Sequence, residues 1–409
     1  MQYQLLIEKG CFFMALTVCS RAVADRFEIM IIAGEPSGDI IGQRLMDALS
    51  EQSDTDVRFW GVGGDNMLSS GLKSLFPMQE LSVMGLTEVL PRLPRLLWRV
   101  REATAEVLKQ RPDMVVTIDA PGFNFRVGKN LGNSGIPIVH YVAPTVWAWR
   151  PERAQKVASF LDHLLAILPF EPPYFEKVGL PCTYVGHPVM EQGLRGNGSL
   201  FRQKHLIALD SPLLALLPGS RRNEVKQLMP IFLDTVARLV KRYPSMRIVI
   251  PTVSNVTNLV QRQLLERGMD RVIVVGREEK ASALDASNIG LTASGTATLE
   301  LSMAKVPMVV AYRMQPITMA IVRRMVHVEK VCLVNLIANS SVIPEFLQER
   351  CTSANLSKAI DEIIADSAAR KSQIQVFSEV REKLRCGEIP PSHRAAQVVL
   401  SILKKKRKV

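Results

Sequence analysis

"IMIIAGEPSGDIIGQRLMDAL", residues 29–49, decides the fold. Ile29–Ala33 is an unbroken apolar run of strand length, Gly34 interrupts it, and a helical pattern resumes near Ile40. A strand that feeds a helix through a glycine-containing turn is the unit of α/β proteins, which hold ligands beyond the carboxyl ends of their strands. Such turns often cradle phosphate, because unpaired N–H groups and the helix dipole favour an anion. This turn instead carries Glu35 and Asp39, which would repel one. The competing reading of Asp39 is a plain helix cap.

The same alternation continues outward. Strand-like runs are expected at 57–64, 114–119, 137–143, 163–169 and 182–188, with helices at 40–51, from about 95 to 110, and at 125–134. A polar, glycine-rich break at 191–199 reads as a linker. Strands then recur at 213–220, 246–252, 271–276, 288–296 and 307–313, between helices at 223–243, 255–267 and 296–304. This βαβα order implies parallel sheets with helices on both faces. The expected organisation is an extension over 1–28, one Rossmann-like doubly wound domain over 29–190 and a second over 200–365, facing each other across a cleft. Helices and a basic tail fill 366–409.

The 409 residues are 47% hydrophobic, enough for two cores, but contain no apolar run long enough to span a bilayer. The six cysteines show no CxxC or metal-ligand spacing, which fits free thiols in a reducing cytoplasm. "CFFMALTVCSRAVAD" mimics a secretory leader, yet Glu8 and Lys9 cancel where a positive region belongs, so an upstream extension is the expectation. The formal charge of +12 asks for an anionic partner; the tail "KKKRKV" carries five of those charges. A nucleic-acid partner is disfavoured, because aromatics are only 6% and the positive charge is not gathered with them on a stripe.

The better phosphate site lies at "LLALLPGSRRNEV", 213–225. There Gly219 permits close backbone approach, Ser220 offers a hydroxyl and Arg221 a cationic fork. "LTASGTATLE", 291–300, repeats the device with Ser294, Gly295 and Thr296, and Glu300 one turn on could meet paired ribose hydroxyls. The second domain therefore reads as a nucleotide-diphosphate binder. In the first, "VVTIDAPGFNFRV" sets Asp119 at a strand end, where desolvation would raise its pKa and make it a general base. "GVGGDNM", 61–67, fails the dinucleotide spacing. "DTD", 54–56, matches a short metal motif but sits on the far side of the sheet, and His140 and His187 are isolated, so neither a metal nor a cofactor is implied.

The greasy stretch 81–107 interleaves Arg92, Arg95 and Arg99 with Leu96, Leu97 and Trp98. That pattern suits an anionic membrane surface. Prolines 91 and 94 argue against a regular core helix there.

Together "AGEPSGD", "GVGGDNM", "IDAPGFN", "VHYVAPTVWAWRPERA", "ILPFEPPYF", "LPGSR", "LTASGTATLE" and "PEFLQ", in order from about residue 29 to 348, resemble the lipid-A-disaccharide synthases, GT-B glycosyltransferases of Gram-negative bacteria. The resemblance implies a metal-independent inverting transfer from UDP-2,3-diacylglucosamine to 2,3-diacylglucosamine 1-phosphate, at the cytoplasmic face of the inner membrane. It implies Glu35 and Asp119 as catalytic carboxylates and Arg221 on the UDP side, with Asn335, Glu345 and Gln348 facing the donor. Ser37, Gly38, Asp39 and Asn124 fall to the acceptor. Many members carry Asp where this chain has Gly122, which leaves the base to Asp119. A UDP-GlcNAc 2-epimerase-like enzyme on the same scaffold is the alternative, and the sequence leaves homo-oligomerisation open.

Overall fold

A computed structural model describes residues 26–81, 86–147, 152–191, 196–269, 271–313 and 330–407, with 86–91 described as backbone only. The leader-like stretch and residues 192–195 of the linker lie outside these residues.

Seven strands form the first sheet: β1 Arg26–Ala33, β2 Asp56–Val62, β3 Lys73–Ser74, β4 Met114–Ile118, β5 Ile138–Tyr141, β6 His163–Ala166 and β7 Cys182–Tyr184. All pair in parallel, in the order β3-β2-β1-β4-β5-β6-β7. Its helices are α1 Pro36–Gln52, α2 Asp65–Ser69, α3 Leu86–Gln110, α4 Pro121–Leu131, α5 Arg153–Ala158 and α6 Pro172–Glu176. The second sheet has the order β10-β9-β8-β11-β12-β13, again parallel. Its strands are β8 Leu213–Leu217, β9 Arg247–Pro251, β10 Ile273–Val275, β11 Ile289–Ala293, β12 Met308–Tyr312 and β13 Glu345–Leu347. Around it run α7 Gly198–Lys204, α8 Arg222–Arg242, α9 Ser254–Glu266, α10 Arg277–Ala286, α11 Thr296–Met303, α12 Leu333–Ala338, α13 Ser353–Ala365 and α14 Ser367–Leu384. Strands β4, β8 and β11 are buried along their whole length, as a parallel sheet covered on both faces requires.

The segment beyond 366 is divided between the two bodies. Val376, Phe377, Val380 and Leu384 of α14 complete the second domain's core. The last helix, α15 Pro391–Arg407, returns to the first domain and packs Ala395, Ala396, Val399 and Leu403 into its core beside α1. The basic end is therefore not a solvated tail as far as Arg407. Lys404 pairs with Asp54 at 3.1 Å, Lys406 donates to the Gly135 carbonyl at 2.8 Å, and the Arg407 guanidinium lies 4.0 Å over the Phe27 ring. These partners lie where strands β1, β2 and β5 begin, away from the ligand edge, so Lys404, Lys406 and Arg407 dock on the first domain. Asp54 of the "DTD" motif belongs to the same contact.

The prolines at 91 and 94 do not break α3, which runs through both. Pro94 lies on the exposed face, where the carbonyl it deprives of a partner can be hydrated. The inner face inserts Val100, Ala103 and Val107 into the core. No described helix is long and apolar enough to cross a membrane.

Candidate active site

In each sheet the strand order reverses once, between β1 and β4 in the first and between β8 and β11 in the second. At such a switch point adjacent loops leave in opposite directions and open a crevice. Glu35 follows β1, Asp119 follows β4, Gly219 follows β8 and Ser294 follows β11. The four candidate turns are thus the two crevices.

In the first crevice the loops touch. A Cβ on Gly34 would come within 2.6 Å of the Ala120 Cβ, so glycine is what lets the Glu35 and Asp119 turns close together. Asp119 and Ala120 both take the left-handed conformation, with φ of 48° and 44°. Such geometry costs of order 1–3 kcal/mol per non-glycine residue and persists only where neighbours enforce it. Here the Asp119 N–H donates to the Tyr141 carbonyl at 3.0 Å, and Asn124 Nδ2 donates to the carbonyls of Asp119 (2.7 Å) and Ile118 (3.1 Å). Burial raises the Asp119 pKa against the opposing pull of the Ala120 N–H and of Arg221. Glu35 is raised too, chiefly by burial and further by the Asp119 charge, while Arg221 lowers it. Two carboxylates close together with raised affinities for a proton suit proton abstraction from a hydroxyl.

The second crevice combines left-handed glycines with exposed helix starts. Gly219 has φ +115° and would place a Cβ 2.7 Å from the Glu224 Cβ, while Gly295 has φ +147° as the cap of α11. Both backbones need glycine. Ser220 and Thr296 are exposed at the starts of α8 and α11, with Asn255 Nδ2 donating to the Ser220 carbonyl at 3.0 Å. Arg221 caps α8 and reaches across the cleft, its Nη2 3.4 Å from Glu35 Oε2 and its Nη1 3.2 Å from Glu224 Oε1. One guanidinium therefore links the two domains at their switch points.

Several of the expected ligand residues make contacts within the protein. The Asp39 carboxylate is buried and accepts from the N–H groups of Gly64 (2.7 Å), Asn66 (3.1 Å) and Met67 (3.1 Å) and from Asn66 Nδ2 (2.7 Å). It caps α2 rather than its own helix, and Gly64 makes room for it, since a Cβ there would fall 2.8 Å from Asp39 Oδ2. Gly38 is buried against Ile118, and Asn124 is 1% exposed and positions Asp119 from behind. Among the acceptor candidates only Ser37 faces out. Asn335 is 1% exposed and pins Ile343 through both its N–H and its carbonyl. Glu345 accepts from Val331 N, Cys332 N and Asn335 Nδ2, capping α12. The Ser294 hydroxyl donates to the Val331 carbonyl at 2.6 Å, which ties the turn after β11 to the same segment. Both Glu300 oxygens accept from the Lys280 ammonium, at 2.7 and 2.6 Å. Gln348 is half-buried with φ +51° just past β13.

Sequence reasoning missed Glu224, Tyr312 and Glu171. Glu224 closes a capping box on α8 and holds Arg221; its place three residues after the cap was the available signal. Tyr312, at the end of β12, feels the charges of Glu224 and Arg221, and burial raises its pKa. Glu171 is pushed up to about 8 by burial while accepting from Leu168 N and Trp147 Nε1, and Trp147 packs into the second domain's core. The two isolated histidines are core residues, held neutral by burial at about 3 (His140) and about 4 (His187).

Along the strand ends of both domains, then, acidic turns face glycine-containing turns that carry Arg221. A sequence model of the lipid-A-disaccharide synthetase family matches residues 29–399. The lipid-A-disaccharide synthase of Rhodospirillum centenum is 50% identical over 381 residues, covering 92% of this chain and 95% of that one. That of Paramagnetospirillum magneticum is 44% identical, with 92% and 97% covered. In fold, the UDP-GlcNAc 2-epimerase of Neisseria meningitidis, solved bound to UDP-GlcNAc, superposes with a TM-score of 0.59 over 93% of this chain and all of that one, at 14% identity. That likeness supports the GT-B architecture alone, and the sequence relationship decides between the two enzyme readings. The chain belongs to the lipid-A-disaccharide synthase family, glycosyltransferases of lipid A biosynthesis that use a UDP-sugar and a lipid-linked sugar phosphate.

Proposed function

We propose that the chain condenses UDP-2,3-diacylglucosamine with 2,3-diacylglucosamine 1-phosphate to form the β(1→6) disaccharide 1-phosphate and UDP, at the cytoplasmic face of the inner membrane. The observation that carries this reading is the Arg221–Glu35 bridge, which sets a cation for the leaving group beside a carboxylate pair for the attacking hydroxyl. Asp119 takes the proton of the acceptor 6-hydroxyl as its oxygen attacks the donor's anomeric carbon. The bond from that carbon to the diphosphate oxygen breaks in the same displacement, so configuration inverts. Charge gathers on the departing UDP, where Arg221 and the N-termini of α8 and α11 stabilise it. A diphosphate competes with Glu35 for Arg221; once released, Glu35 loses the charge that lowers its pKa and orients or assists the acceptor hydroxyl. Ser220, Thr296 and Gln348 are left to contact the donor. Ser37 is left to the acceptor. Asn335 and Glu345 hold the donor segment in place.

The test is mass spectrometry of products from the two acylated sugars. The disaccharide 1-phosphate with stoichiometric UDP is expected. An epimerised UDP-sugar with no disaccharide would overturn the reading.

A further inference from the structure

A groove opens between α4 and α5, beside the Asp119 turn, with a volume of about 380 Å³, inside the roughly 300–1,000 Å³ range of small-molecule sites. Its interior is apolar, built on Phe125, Val157 and Phe160, with the Phe125 and Phe160 rings 5.6 Å apart. Among the described residues, four cations border it, Arg126, Lys129, Arg153 and Lys156, and no acidic residue lines it. Its inner end is formed by Pro121 and Gly122, two and three residues beyond Asp119, and by Pro144 past the end of β5. A Cβ on Gly122 would meet nothing within 4 Å, so that end is open. Another face of α4 packs against the membrane-facing candidate α3, with Asn130 Nδ2 donating to Thr104 Oγ1.

An apolar trough with a cationic border fits an amphiphilic anion. The apolar walls solvate a hydrocarbon chain, and the cationic border, Lys129 and Lys156 above all, concentrates a phosphate at the edge. The diphosphate of the donor has its own site across the cleft at Arg221. We propose that this groove is the acceptor subsite: it takes an acyl chain of the monophosphorylated sugar against Phe125 and Phe160 and its phosphate at Lys129 and Lys156. The first turn of α4 then delivers the sugar to Asp119. This inference rests on the function proposed above, because it presumes an acylated sugar phosphate as acceptor.

The experiment uses the full chain with 2,3-diacylglucosamine 1-phosphate in mixed detergent micelles. Lys129→Glu with Lys156→Glu should raise the acceptor KM by about tenfold or more, where tenfold corresponds to about 1.4 kcal/mol. The KM for the UDP-sugar and the thermal shift produced by UDP should stay at parent values, which also shows that the variant is folded. With a diacylated glucosamine lacking the 1-phosphate, parent and variant should converge. An unchanged acceptor KM overturns the groove assignment, as does a loss seen only in vesicle pelleting, which would make the groove a bulk-lipid contact. If the parent itself makes no disaccharide, the proposed function fails instead, so the two failures are distinguishable.

Discussion

At the β1/β4 crossover the loop tips carry Glu35 and Asp119, both half-buried and both with raised pKa. At the β8/β11 crossover they carry Gly219, Ser220, Arg221 and Gly295, with left-handed glycines and exposed helix starts. The topology of the two places is the same, and the chemistry is opposite. A doubly wound sheet supplies a crevice, and the residues at the loop tips decide whether it repels or attracts an anion. Under the proposed transfer the difference also separates two tasks: proton removal on one side of the cleft, charge stabilisation on the other.

The comparison is broken most directly at Asp119. Asp119→Asn should lower kcat by at least ~100-fold, the usual worth of a general base, while UDP affinity holds. In the parent the raised pKa places the acid limb of kcat/KM above the ordinary carboxylate range, because the base must be unprotonated; the variant's residual rate should lose that limb. The stability sign is the reverse of an ion-paired carboxylate's. A raised folded pKa means that stability is greatest below the unfolded pKa and is lost as pH rises through the folded one. At neutral pH the thermal midpoint of Asp119→Asn should therefore equal or exceed the parent's. Near-normal turnover in the folded variant removes Asp119 from the mechanism.

On the other side, Arg221→Ala should weaken UDP binding by roughly 1.5–3 kcal/mol, the range for a hydrogen bond to a charged group, measured by calorimetry. It should also raise the Glu35 pKa further, since Arg221 is what lowers it. Equal UDP affinity in parent and variant would move the diphosphate elsewhere. A third substitution sharpens the first crevice. Asp39→Asn should cost about 1–3 kcal/mol of stability in a urea titration, because buried N–H groups lose a charged acceptor, with little change in acceptor KM. A stable variant with impaired acceptor binding would return Asp39 to the site.

How much of this was readable in the chain follows from where each signal lies. The central strands β1, β4, β8 and β11 are continuous apolar runs because both faces are covered, so they and the turns after them were legible. Edge strands β3 and β13 have two and three residues and no alternating burial, so they leave no periodic signal in the sequence. The start of α3 was hidden by its prolines, whose cost depends on whether their face is wet. The roles of single acids were the hardest to read. Asp39 finds its partners about 25 residues away in the Gly64–Met67 turn, and Glu300 finds Lys280 on another helix. Neither pairing leaves a trace in local spacing. Arg221 stands in a turn whose glycine and helix start could be read from the sequence, but its reach to Glu35 across the cleft is visible only once the two domains are packed.

The smallest expected effect concerns the face that only the first domain carries. On α3, Arg92, Leu97 and Trp98 are exposed, with Trp98 at 53%. Leu96, by contrast, is partly buried against the core. Arg99 is also withdrawn from the expected headgroup contacts: it forks onto Glu80 at 2.8 Å, pairs with Glu102 and lies over Phe76. Arg95 shares Glu80, whose pKa falls to about 2, chiefly through its bond to Arg99. The charges of Arg95 and Arg99 are thus partly spent inside the protein, and Arg92 with Trp98 is left as the outward pair. A cation near an anionic surface contributes on the order of 1 kcal/mol, so Arg92→Glu with Trp98→Ala should weaken binding to anionic vesicles by roughly tenfold, converted at about 1.4 kcal/mol per decade. UDP affinity and the thermal midpoint should be unmoved. Added salt should weaken the parent's binding and narrow its gap to the variant, as screening requires. Arg99→Glu should instead lower the midpoint, because it sets a carboxylate against Glu80. If the Arg92/Trp98 variant pellets with vesicles like the parent, this face of α3 meets water and not lipid, and the first domain's approach to its acylated acceptor must lie elsewhere.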